Sequence, residues 1–139
     1  MSAPIAPLTS IDEVVRSITE LANRSAGRII VGVTGAPGSG KSTLCAQLVE
    51  ALGASAALLP MDGFHLQQAR LVELGRRDRM GAPDTFDVDG FVAALHAVRA
   101  ADLAHTAVTV PGFDRESEEA IADAITISAD AGIVVVDGN

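Results

Sequence analysis

The sequence predicts a three-layer α/β fold, a mainly parallel sheet flanked by helices, on three observations. Short β-branched and aliphatic runs at residues 28–33, 56–60 and 132–137 alternate with stretches of helical periodicity, the pattern of a parallel sheet covered on both faces. The first run leads into a glycine-rich loop and directly on to a helix pattern. Nearly half the 139 residues are apolar, yet there is no Trp or Tyr and only four Phe, so the core is expected from Ala, Val, Ile and Leu. A chain of this length fits one hydrophobic core, and a single domain over residues 1–139 is expected.

The elements follow in order. Residues 1–9 read as a flexible lead-in. Ser10 with Glu13 three positions later makes a capping box, after which Ile11, Val14, Val15, Ile18 and Leu21 recur on one helical face. Residues 28–33 are the kind of run that forms a strand buried on both sides. From Lys41 to Leu52, the residues Leu44, Leu48, Val49 and Leu52 keep helical spacing, and Gly53 is a natural stop. Residues 56–60 form a second short strand. A helix is expected over 66–74, stopped by Gly75, then an Arg-rich loop and a helix over 88–100. Residues 106–110 are strand-like, 111–119 a polar loop, 125–128 a brief strand, and 132–137 a buried strand ending in an acid. There is no internal repeat, heptad array or low-complexity tract.

The chain has one lysine, Lys41, in the segment Gly35-Ala36-Pro37-Gly38-Ser39-Gly40-Lys41-Ser42-Thr43. Four residues between Gly and Gly-Lys-Ser is the phosphate-binding pattern. Glycines let successive N–H groups turn inward on an anion, the ammonium reaches the outer phosphates, and Ser42 is positioned to ligate Mg²⁺. Strand, loop and helix in that order aim a helix N-terminus at the phosphates. A nucleoside triphosphate is the implied ligand. A glycine-rich turn with one exposed lysine is the structural alternative.

Asp62 follows the second strand. In open α/β sheets ligands bind beyond the carboxyl ends of the strands, so it is expected to project toward the crevice that holds the loop. An Asp turn before Gly63 competes with that role. Ten basic against 18 acidic residues give net charge −8, which disfavours nucleic acid and anionic membranes as partners. Cys45 is the only cysteine, so no internal disulfide forms, and a small core-facing hydrophobe is its expected role. The start lacks a signal-peptide pattern and no run of about 18 apolar residues occurs, so a cytoplasmic protein is expected.

Three stretches, GAPGSGKST, PMDGFH and APDTFDVDGF, with PGFDRE and VVVDGN as weaker echoes, resemble the P-loop kinase family of uridine kinases, bacterial-type pantothenate kinases and phosphoribulokinases. The likeness spans residues 29–139 in family order, and MDGFH points to the nucleoside- or sugar-kinase-like branch. It implies a P-loop NTPase fold, ATP with Mg²⁺, and a small-molecule hydroxyl acceptor. Asp62 matches the family's base, which accepts the proton of the acceptor hydroxyl, and could also hold a water on Mg²⁺. Asp137 matches a position where relatives carry a glutamate near Mg²⁺; a turn at Asp137-Gly138 is its structural alternative. His65 is where relatives contact the acceptor, against a structural histidine. Asp84 and Asp87 resemble family acids, although Asp87 also suits a helix cap. Asp114 and Arg115 fall in the loop that contacts the acceptor.

The sequence departs from uridine kinases at Phe113, where they carry Tyr, and at Glu116–Glu119, which lacks their His and Arg. A sugar, sugar phosphate or other polyol fits as well as a nucleoside. Arg70, Arg76, Arg77 and Arg79 form the only basic concentration and suit phosphate recognition or plain solvation equally. The family's lid and adenine-binding segment have no counterpart, so the fold is expected to be incomplete at its C-terminal end, with weak nucleotide binding and little turnover. A regulatory or motor-type NTPase module and an inactive ATP-binding fragment are the alternatives to a kinase.

Overall fold

The computed structural model describes residues 6–138. Residues 1–5 of the expected lead-in, and Asn139 of the VVVDGN stretch, lie outside them. Helix α1 (Ile11–Arg24) precedes strand β1 (Ile29–Val33), helix α2 (Lys41–Leu52) and strand β2 (Ala56–Pro60). A 3₁₀ turn (Met61–Phe64), helix α3 (Gln68–Glu73) and helix α4 (Val88–Ala104) follow. Strands β3 (Val108–Asp114), β4 (Glu119–Ile127) and β5 (Ile133–Asp137) complete the chain.

The parallel sheet has three strands in the order β1-β5-β2. Its registers are unbroken: Ile29 and Ala56 both face Ile133, and Val33 and Pro60 both face Asp137. Along β5 the side chains alternate between two cores. Ile133 and Val135 join Ile18, Cys45 and Leu48 under α1 and α2, while Val134 and Val136 join Leu59, Val98, Val110 and Ile127 on the face carrying α4 and the β3–β4 pair. This is the three-layer arrangement expected, and aliphatic residues dominate both cores.

Residues 106–128 correct the expectation. They form an antiparallel hairpin, β3–β4, separate from the parallel sheet, and most of the expected polar loop 111–119 is strand. The register shifts between Val110 and Gly112, so Pro111 falls at an irregularity, where a missing N–H costs no ladder bond. Only residues 115–118 form the turn, with Glu118 at φ 55°. Asp114 holds it, accepting from the Ser117 hydroxyl at 2.6 Å and from the amides of Ser117 and Glu116 at 3.2 and 3.3 Å. Smaller differences are a shorter α3 and a longer α4, which runs on to Ala104 and ends with His105 in the left-handed conformation.

Local signals explain the other boundaries. Ser10 accepts from the Glu13 amide at 3.2 Å, but the Glu13 carboxylate reaches back to the Thr9 amide at 2.7 Å rather than to Ser10. Asp87 caps α4, accepting from the Gly90 amide at 2.9 Å. At the amino ends of the strands, Arg28 is buried. Its Nε and two terminal nitrogens donate to the carbonyls of Ala131, Val98 and Ser128 at 2.7, 2.8 and 2.9 Å. Charge-assisted bonds of this kind contribute about 1.5–3 kcal/mol each, which offsets the several kcal/mol needed to desolvate the cation. They tie β1 to the end of α4 and to the segment entering β5.

Gly63 explains part of the MDGFH string. A Cβ there would collide with the Pro111 carbonyl of β3, which passes directly over the turn. Gly63→Ala is therefore expected to lower stability by about 1–3 kcal/mol in urea unfolding, through displacement of backbone rather than of a flexible side chain. The hydrogen bonds on Asp114, the Ser117 hydroxyl foremost, hold its pKa below the ordinary aspartate range. Its contribution is thus present above the unfolded value and lost as pH falls through the folded one. Ser117→Ala is expected to move the Asp114 carboxyl titration, followed by NMR, upward.

Candidate active site

The glycine-rich loop leaves β1 at Val33 and turns into α2 at Gly40. Gly38 and Gly40 have φ of 77° and 87°, conformations that strain any residue with a Cβ. A Cβ at Gly35 would lie 2.7 Å from the Ser39 hydroxyl, which would have to rotate away to admit it. The Ser39 amide closes the turn on the Ala36 carbonyl at 3.1 Å. No side chain caps α2. The amides of its first turn, which have no intrahelical carbonyl to bond, stay open to an anion. Loop and helix start therefore fit a polyphosphate, with Lys41, Ser42 and Thr43 on the first turn of α2.

The level register brings the other candidates to the same edge. Asp137, the last residue of β5, pairs with Val33 on one side and Pro60 on the other, and the Gly138 amide continues the pairing to the Val33 carbonyl at 2.9 Å. With strands about 4.8 Å apart, the carboxyl ends of β1 and β2 stand about 10 Å apart with Asp137 between them. Asp62 is two residues past the end of β2. Cys45, fully buried on α2, registers the crowding: burial and the Asp137 carboxylate push its thiol up to about 11, with Lys41 pulling the other way. Lys41, Asp137 and Cys45 thus share one neighbourhood. Cys45 is a neutral core thiol at physiological pH, as its apolar setting implies.

Asp62 lies in the 3₁₀ turn, and the turn uses its carbonyl, not its carboxylate. The carbonyl receives the His65 amide at 3.2 Å and His65 Nδ1 at 3.0 Å. The carboxylate is half exposed and, among the described residues, its one ion-pair contact is with His65 Nδ1 at 4.0 Å. An Asp turn sealed by its own side chain is not what these residues form. Ser42, Asp62 and Asp137 are the oxygen donors at this edge. Among the described residues no group of three or more His, Cys, Asp or Glu clusters as a metal cage. The donor set fits Mg²⁺, which takes one or two protein oxygens with phosphates and waters for the rest.

His65 is buried and wedged between Phe86 and Phe113, with ring centroids 4.1 and 5.1 Å away. It lines a cavity of about 370 Å³ together with Arg77, Met80, Phe113, Arg115 and Glu118. Arg115 was legible as a candidate, whereas Met80 and Glu118 were not, because three separate loops supply the wall. Asp114 and Asp87 do not line this cavity: the first organises its own turn, and the second caps α4 and lines an adjoining cavity of about 310 Å³ that also reaches His65. Most of the arginine cluster is internally paired. Arg76 and Arg79 both reach the Asp84 carboxylate, at 3.5 and 2.9 Å, Arg70 pairs with Glu73 at 2.9 Å, and Arg77 is bonded to Glu118.

The sequence matches the NTPase family over residues 30–138. It is 33% identical to a candidate uridine kinase of Schizosaccharomyces pombe, over 95% of this chain and 59% of that protein. A uridine kinase of Leuconostoc citreum is 31% identical, over 79% of this chain and 52% of the relative. The chain thus spans little more than half the length of these curated relatives. A crystal structure of a candidate fructose transport system kinase from Silicibacter sp. TM1040 superposes with a TM-score of 0.83 at 38% identity, covering 94% of this chain and 64% of that one. Among the described residues no helix is long and apolar enough to cross a membrane. With the glycine loop, the β1-β5-β2 sheet and these relatives in agreement, the chain belongs to the NTPase family, among its P-loop kinases.

Proposed function

We propose that this chain carries the phosphate site and base of an ATP-dependent kinase acting on a hydroxyl group of a small metabolite. The observation that supports it most is the shared sheet edge: the loop after β1, Asp62 after β2 and Asp137 at the end of β5 are held level by one parallel register. The loop amides and Lys41 hold the triphosphate. Ser42 and, through water, Asp62 or Asp137 would hold Mg²⁺, which would supply charge neutralisation for the phosphates. Asp62 orients the acceptor hydroxyl and takes its proton, while in-line placement lowers the barrier.

The acceptor enters from the cavity beside His65, with Arg115 at its wall. The names of two relatives suggest a nucleoside such as uridine. A sugar or a pantothenate-like molecule meets the same chemical requirement. The chain acts on small molecules in this reading, away from nucleic acid and membranes and in the cytoplasm.

The test is ADP release with Mg²⁺ and ATP, measured with and without a panel of nucleosides, sugars and pantothenate. Acceptor-stimulated release supports the kinase. Hydrolysis that responds only to a protein partner would favour a regulatory or motor-type NTPase, and nucleotide binding with no release would favour an inactive ATP-binding protein. Asp62→Asn is expected to lower acceptor-dependent turnover by about 10²–10⁴ with ATP affinity largely kept. Lys41→Met is expected to weaken ATP binding itself, read by calorimetry.

A further inference from the structure

The cavity beside Asp62 presents two groups that the protein leaves unsatisfied. The first is His65 Nε2, buried and without a hydrogen-bond partner. The opposite nitrogen, Nδ1, lies 3.0 Å from the Asp62 carbonyl, an oxygen that can only accept. Nδ1 is therefore the donor in this contact, and the tautomer that makes it leaves Nε2 as a bare acceptor. Phe86 and Phe113 pack against the ring and hold it in that orientation. A ligand that satisfies Nε2 has to donate, as a hydroxyl does.

The second is Arg115. Arg70, Arg76 and Arg79 are compensated by Glu73 and Asp84, and Arg77 by Glu118. Arg115 has no ion pair and no hydrogen bond among the described residues, and it lines the same cavity as His65. Two guanidiniums and one carboxylate leave the cavity one positive charge in excess, in a chain whose net charge is −8. The Asp114 carboxylate is not part of the cavity wall; Ser117 and the Glu116 amide hold it within its own turn. An excess cation at a cavity wall, within a chain of net negative charge, is a local selector for one negatively charged group.

Resting on the kinase reading above, we infer that the acceptor is an anionic polyol, a hydroxylated metabolite carrying a phosphate or a carboxylate. Its anionic group docks on Arg115, with Arg77 behind it, and a hydroxyl donates to His65 Nε2. A second hydroxyl faces Asp62: its oxygen bonds to the terminal phosphorus, the bond from that phosphorus to the departing ADP oxygen breaks, and the proton passes to Asp62. The anionic group is left unchanged.

The test uses matched pairs, ribose with ribose 5-phosphate and glycerol with glycerate, titrated into the 139-residue chain while the Arg115 Nε–H and His65 ring resonances are followed by NMR. The anionic member of at least one pair is expected to bind tenfold or more tightly than its neutral partner. The pair that discriminates tells phosphate from carboxylate. Arg115→Gln, an exposed change that leaves both cores intact, is expected to bring the two members to parity. Equal binding of both members, discrimination that survives Arg115→Gln, or no binding by either anion at millimolar concentration would each overturn the inference. Transfer to a neutral acceptor that needs Asp62 but not Arg115 would overturn it while sparing the kinase reading. Arg115-dependent anion binding with no acceptor-stimulated ADP release would do the opposite.

Discussion

Everything at the candidate site depends on the parallel register of β1, β5 and β2. A slip of one residue on β5 would move Asp137 along the strand by about 3.3 Å and turn it to the opposite face of the sheet, exchanging the two cores as it did so. The aliphatic alternation of β5 makes that exchange costly, because Ile133 and Val135 fit beneath α1 and α2 while Val134 and Val136 fit against Leu59 and Val98. The buried Arg28 fixes the other end of the same strands by bonding the carbonyls of Ala131, Val98 and Ser128. Removing its guanidinium would forfeit these charge-assisted bonds, at about 1.5–3 kcal/mol each. The buried cation lies at the amino ends of the strands, and the candidate site at their carboxyl ends.

The site itself is assembled with little internal compensation. The loop has no side-chain cap, the Asp62 carboxylate has no strong partner, and His65 Nε2 has none. Elsewhere charged and polar groups find partners within the protein, as with Asp87 on the Gly90 amide or Asp114 on the Ser117 hydroxyl, although Asp84 Oδ1 is also buried without a hydrogen bond. Groups left without partners together at one edge are the expected mark of a site whose partners are ligands.

Much of this was legible in the sequence, for identifiable reasons. β1, the loop, α2 and β2 announce themselves through β-branched runs, a strict glycine pattern and helical spacing that all agree, and β5 is apolar without interruption. The hairpin was not legible. Ala120, Ala122 and Ala124 give β4 almost no hydrophobic alternation, and Pro111, Gly112 and the charges around the turn imitate a loop. Arg28 read as the ragged start of a strand, since no local pattern tells a buried guanidinium from an exposed one when its three carbonyl partners lie 70 or more residues away. The cavity wall was hidden for the same reason: Met80, Phe113 and Glu118 meet His65 only through tertiary structure.

The central claim is that the phosphate loop and Asp62 serve one reacting centre. A crystal structure with Mg²⁺ and a non-hydrolysable ATP analogue measures it directly. With a hydroxyl interposed between base and phosphorus, the Asp62 carboxylate should lie about 6 Å from the terminal phosphorus, leaving an open in-line approach from the His65 cavity. A carboxylate turned to the far side of the sheet edge, or a terminal phosphate directed away from β2, would contradict the account.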